Sequence, residues 1–257
     1  MKKRISLLLA ICCLILSFAG CSSTAKTEGT ITVAAASSLK NCIDEKLIPA
    51  FNAKYPDVKV QTTYDSSGKL QTQIESGADV DVFMSAAMKQ MTALDEKGLL
   101  LEDSIVKLLE NKIVLIVPAD SGNEISAFED IVKADKVAIG DPESVPAGQY
   151  AKEALTSLNL WDQISDKSSL GTNVTEVLNW VAEGSADAGI VYKTDAASNS
   201  RVKVVAEAPE GSVSKVIYPV GIVKASKNQP AAQAFVEFLQ TDEALKILES
   251  YGFTANK

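Results

Sequence analysis

Short apolar runs alternate along this chain with stretches in which apolar residues recur every three or four positions, so strands should alternate with helices. Thr30 to Ala36 reads as a buried strand, followed by a helix from about Ser38 to Tyr55. Val58 to Tyr64 alternates as a strand, and a helix from about Gly68 to Ser76 comes next. Asp81 to Met84 is a short strand. Met88, Met91 and Leu94 then share one face of a helix that Gly98 stops. Lys112 to Val117 is an apolar strand ended by Pro118.

A second unit begins there. Strand Lys136 to Ile139 runs into the turn Gly140-Asp-Pro-Glu-Ser-Val-Pro-Ala-Gly148 and a helix to about Leu158. Thr172 to Glu183 is expected as a helix, then strands at Ala188 to Tyr192, Val202 to Val205 and Val216 to Val223. Two helices close the chain. The first has Pro230 in its opening turn and carries Phe235, Phe238 and Leu239; the second runs from Thr241 to Tyr251 and is stopped by Gly252. The order defines an α/β protein of one large or two modest domains.

The first residues break the pattern. Lys2-Lys3-Arg4 precedes an almost unbroken apolar stretch from Ile5 to Phe18, and Ala19-Gly20 leads to Cys21. Residues 1–20 are expected to be an export signal, too short for a spanning helix. The segment resembles a bacterial lipoprotein signal, with Cys21 as the lipid-carrying residue and residues 21–29 as a flexible linker. The expected location is therefore the extracytoplasmic face of the cell membrane.

Charge and composition remove several function classes. The leader holds three of the 25 basic residues, which leaves 22 against 33 acidic ones, a net charge of −11. A nucleic-acid binder needs a basic face, so that class is excluded. Beyond the leader Arg201 is the sole arginine, and the chain has no histidine. Guanidinium clamps on phosphate and the commonest general base are missing together. Neither a Gly-x-Ser-x-Gly elbow nor a Gly-rich Lys-Ser/Thr phosphate loop occurs. An exported α/β hydrolase is the alternative from a different class, and these absences count against it. Asp79 and Asp81 alternate at a strand start as the nearest thing to paired carboxylates, which is weak evidence for a metal. Cys42 falls among Leu39, Ile43 and Leu47 and is expected as a buried core thiol.

Four junctions place hydroxyls or free amides at helix starts. They are Ala34-Ala-Ala-Ser-Ser38, Tyr64-Asp-Ser-Ser67-Gly, the turn ending at Gly148, and Gly171-Thr-Asn-Val174. Amides in a helix's first turn have no partner within it and form a ready anion site. Taken singly, Ser37, Ser38, Ser66, Ser67, Thr172 or Asn173 could each be a plain helix cap. Tyr192, ending the run Ala-Gly-Ile-Val-Tyr, could be a core residue.

Taken together, these residues resemble the periplasmic molybdate-binding proteins of ABC uptake systems. The resemblance spans Ile31-Thr-Val with the Ala/Ser run to Leu39, Ser66-Ser67 with Leu70 and Gln73-Ile-Glu-Ser-Gly77, and Gly140-Asp-Pro…Val-Pro-Ala-Gly148 with Tyr150-Ala-Lys-Glu-Ala-Leu155. It continues through Gly189-Ile-Val-Tyr192 with Asp195-Ala196 to the ending Tyr251-Gly-Phe-Thr254. It implies a two-lobed, type II periplasmic-binding-protein-like fold, each lobe a mostly parallel sheet flanked by helices. Lobe 1 would be residues 29–118 plus 218–257 and lobe 2 residues 119–217, with crossovers near 118 and 218.

The resemblance also implies a binding protein and not an enzyme, closing by a hinge over molybdate and also tungstate. Ser38 and Ser67 would donate to the oxyanion through hydroxyl and backbone, Ala147 and Val174 through backbone N–H groups, and Tyr192 through its phenol. Ser37 competes with Ser38, which keeps the spacing from Ile31. It further implies a monomer without cofactor, binding no metal besides molybdate and delivering its cargo to an ABC permease. Sulfate or phosphate on the same scaffold is the alternative cargo. Asp65 departs from the small or neutral residue expected there: an inward carboxylate would repel molybdate, and the competing expectation is that it points outward or caps the next helix.

Overall fold

The computed structural model describes residues 27–122 and 124–256. The leader, Cys21 and most of the linker lie outside the described residues. Two sheets with helices packed against them form two lobes. The first has six strands in the order β11-β4-β10-β3-β1-β2 and the second five in the order β7-β6-β8-β5-β9.

In the first lobe, β1 (Gly29–Ala36) lies parallel to both β2 (Val58–Asp65) and β3 (Val82–Met84). Between β1 and β2 runs α1, residues 37–54. It opens with a 3-10 turn, Ser37–Leu39, and widens into π geometry over Ile43–Leu47. Pro49 follows in the next turn and cannot donate to the turn before it, which fits a local widening there. The helices α2 (Ser67–Glu75) and α3 (Met88–Glu96) follow β2 and β3. β4 (Val106–Asn111) completes the outgoing half of this lobe.

β5 (Ile113–Pro118) was expected to close the first lobe, yet it pairs with β8 (Ala188–Tyr192) and β9 (Val202–Glu207) in the second sheet. The chain therefore crosses at Lys112 and not near 118. An apolar run fixes burial but not sheet membership. The return crossing lies between β9 and β10 (Val216–Ile222), slightly before the expected 218. β6 (Val137–Gly140) lies parallel to both β7 (Ser168–Gly171) and β8. Its helices are α4 (Pro146–Ser157), α5 (Trp161–Ile164), α6 (Val174–Ala182) and α7 (Lys193–Ala197). The helices α8 (Gln229–Leu239) and α9 (Asp242–Ser250) pack back on lobe 1 before β11 (Thr254–Ala255).

Both sheets are mixed and not mostly parallel. β10 runs antiparallel to β3 and β4, and β5 antiparallel to β8 and β9. These are the strands reached by crossing, and each enters its sheet against the local direction. Pro219 lies in β10, a central strand, where it has no N–H to give. The β10–β4 register shifts between Tyr218 and Pro219, a bulge that accommodates it.

Candidate functional site

The four junctions meet. Ser38 stands in the 3-10 turn after β1, and Ser67 is the first residue of α2. Ala147 is the second residue of α4 and Val174 the first of α6. With Tyr192, the last residue of β8, all five line one cavity whose walls come from both lobes. Its space is small, at most about 190 Å³ even with the open solvent at its edge counted. A water molecule takes about 30 Å³ in the liquid, so the enclosed space has room for a very small solute and not for a sugar or peptide.

Local chemistry explains each wall. Ser66 caps α2, its Oγ accepting from Lys69 N, so Ser67 is released from capping duty. Asn173 caps α6 through Glu176 N, and the Glu176 carboxylate reaches back to Thr172 N. That leaves the Val174 amide at the helix start. Pro146 opens α4, where no N–H is needed. A Cβ on Gly148 would collide with the Gly140 carbonyl, so glycine there lets α4 start tightly against β6.

The side chains are wired to one another. Ser67 Oγ accepts from the Ala86 amide at 3.0 Å, and Tyr192 Oη donates to the Ala86 carbonyl at 3.3 Å. Ser38 Oγ and Tyr218 Oη lie 3.0 Å apart. Burial pushes both the Tyr192 and Tyr218 phenols well above their ordinary value, so each keeps its proton. Their rings pack edge-on at 5.3 Å, and Tyr218 packs edge-on against Phe253 at the same distance.

Asp65 also lines the cavity, but Oδ1 accepts from the Ser66 amide and from Lys69 Nζ at 3.4 Å. Its charge is thus offset at the rim. Ser37 lines the cavity beside Ser38, and Ser38 is the one joined to Tyr218. Asp79 and Asp81 do not form a pair. Asp79 is exposed beside Lys227, whereas buried Asp81 accepts from Thr32 N and Ser226 Oγ. Among the described residues no cluster of three or more His, Cys, Asp or Glu could hold a metal ion.

Sequence reasoning missed Asn111, Tyr218 and Ala86. Tyr218 carried the signal that singled out Tyr192, a tyrosine within an apolar run. Asn111 and Ala86 carried none.

Two lobes joined by two crossings, with one small cavity lined by residues of both, are the architecture of a solute-binding protein. The chain belongs to the bacterial extracellular solute-binding protein family, whose model matches residues 31–254. It is 40% identical to the putative ABC transporter substrate-binding lipoprotein YvgL of Bacillus subtilis, across 99% of this chain and 100% of that one. It is also 40% identical to the molybdate-binding protein ModA of Haemophilus influenzae, covering 93% of this chain and 96% of the relative. Among solved structures it resembles the substrate-binding domain of a putative molybdenum ABC transporter from Clostridium difficile. That match has 43% identity and a TM-score of 0.69, over 89% of this chain and 99% of the other.

Proposed function

We propose that the protein captures molybdate, and tungstate with it, in the cleft between its lobes and passes it to an ABC permease. The observation that carries this reading is the cavity's chemistry. Ser38, Ser67, Ala147, Val174 and Tyr192 line it with hydroxyls and backbone amides, neither Lys nor Arg does, and the Asp65 carboxylate beside them is held by the Ser66 amide and Lys69. Molybdate is a tetrahedral dianion without a proton at neutral pH, so donors alone satisfy it. Helix starts favour its charge without the desolvation that a buried cation would cost. The relatives named for molybdate support the same cargo.

Tethering through Cys21 would hold a monomer beside the membrane, where a permease can receive the ion. The lipoprotein-like leader supports this, as does the relative named a lipoprotein.

Isothermal titration of the protein with molybdate, tungstate, sulfate and phosphate tests the cargo. Heat with the first two at micromolar protein is expected. Heat with phosphate or sulfate and none with molybdate overturns the reading.

A further inference from the structure

The cavity's two serines are held differently. The group that occupies one lone pair of Ser67 Oγ is the Ala86 backbone amide, which can only donate. Ser67 must therefore turn its own proton elsewhere. Ser38 has no such fixed neighbour. Its partner is Tyr218 Oη, a hydroxyl that can either give or take. Whether Ser38 offers the cavity a proton or a lone pair depends on what lies behind Tyr218.

Behind it lies Asn111, the last residue of β4. Its Oδ1 accepts from the Lys112 amide at 2.8 Å, which fixes the carboxamide's orientation. The amino group then faces inward and donates to Thr194 Oγ1 at 2.9 Å and to Tyr218 Oη at 3.3 Å. Tyr218 is 2% exposed and its ring is wedged between Tyr192 and Phe253, so its hydroxyl can neither roam nor turn to solvent. Receiving from Asn111, Tyr218 has its own proton free for Ser38 Oγ, 3.0 Å away. The hydrogen-bond partners of Tyr218 Oη are Ser38 and Asn111, and Asp195 Oδ2, the buried acceptor nearby, has no hydrogen-bond partner.

We infer that Asn111 and Tyr218 are positioning residues that set the direction of a hydrogen-bond relay, Asn111 to Tyr218 to Ser38, and so hold the Ser38 hydroxyl as a donor toward the cavity. This rests on the oxyanion reading above. It adds a source of specificity, because a Ser38 hydroxyl whose proton is free for the cavity suits an ion that only accepts better than one that brings a proton of its own. Monohydrogen phosphate has the charge of molybdate and also a proton that needs an acceptor. The relay keeps Ser38 from serving as one, which leaves the Asp65 carboxylate as the acceptor phosphate would have to use.

Asn111→Asp tests this. The carboxylate keeps an acceptor for the Lys112 amide but presents a second oxygen to Tyr218, which turns the Tyr218 proton around and leaves Ser38 a lone pair for the cavity. The added charge penalises both dianions alike, so the readout is the ratio of phosphate to molybdate affinity, measured by competition titration at pH 8. The expected result is a shift of at least tenfold toward phosphate, abolished when Ser38→Ala is also present. Tyr218→Phe, which preserves the ring packing, should shift the ratio the same way if Asn111→Asp does not fold. An unchanged ratio in the folded variants overturns the relay. Failure of the unaltered protein to bind any tetrahedral oxyanion overturns the functional reading instead.

Discussion

The amide of Gly68 donates to the carbonyl of Ser144 at 3.0 Å, joining the first turn of α2 in one lobe to the turn before α4 in the other. Nothing but hydrogen separates them: a Cβ on Gly68 would come within 2.9 Å of Ser144 Cα and closer still to its carbonyl oxygen. The obstruction is backbone, which cannot swing aside. Gly68 is therefore what lets the lobes meet this tightly at the mouth of the cavity.

Gly68→Ala should weaken molybdate binding by tenfold or more, since closure would stop short of the Ser144 carbonyl. The folded lobe should not suffer, because alanine in a helix is favoured over glycine by up to about 1 kcal/mol. Affinity and thermal stability should move apart. Titration and a melting curve on the same preparation check this, and a parallel fall in both would contradict it.

Ser67→Ala removes a hydroxyl that lines the cavity and leaves the Ala86 amide without its acceptor. A hydrogen bond to a charged group contributes about 1.5–3 kcal/mol, so molybdate affinity should fall between about tenfold and a hundredfold. The orphaned amide should also cost about 1–3 kcal/mol of stability. Titration and denaturant unfolding measure the two effects separately.

Asp195 predicts a pH dependence. It is buried beside Tyr192 and Tyr218, and burial pushes its carboxyl from 3.8 up to about 7, against the amides of Tyr192 and Asp195. With the folded value above the unfolded one, its contribution to stability is fully present below about pH 3.8 and is lost as pH rises through about 7. Asp195→Asn should thus stabilise the protein at pH 8 by a few kcal/mol, on the order of 1.4 kcal/mol per pKa unit, and much less at pH 4. Urea unfolding of both proteins at the two pH values tests the sign. An equal difference at both would refute it.

The Cys42 thiol should be inert in the folded protein. It is 1% exposed, it donates to the Leu39 carbonyl at 3.1 Å, and burial pushes it up to about 12. Thiolate is the reactive form, so a chain lacking the leader and Cys21 should show no reaction with an aromatic disulfide reagent until it is unfolded.

The helix starts were legible because each depends on a few neighbouring residues. Serine or asparagine caps, proline in a first turn and paired glycines act within one strand–turn–helix unit, and Ser38, Ser67, Ala147 and Val174 all fall in such units. Sheet membership was not legible. The run Ile113–Pro118 is apolar enough for either sheet, and pairing with β8 and β9 assigns it to the second. β7 escaped notice because Ser168–Gly171 is short and polar. The relay was invisible for a deeper reason. Residues 38, 111 and 218 are far apart in the chain, and only the return of β10 beside β4 brings Tyr218 between Asn111 and Ser38.

The crossing at Lys112 has a further consequence. Asn111, which abuts it, spends one amino hydrogen on Thr194 in the other lobe and the second on Tyr218 in its own. Pulling the lobes apart strains the first bond and frees the carboxamide to turn, so the array loosens as the cleft opens. A permease that pries the lobes open would thereby disarm the grip as well as unlatch the door, and the ion would leave without any change in its own chemistry.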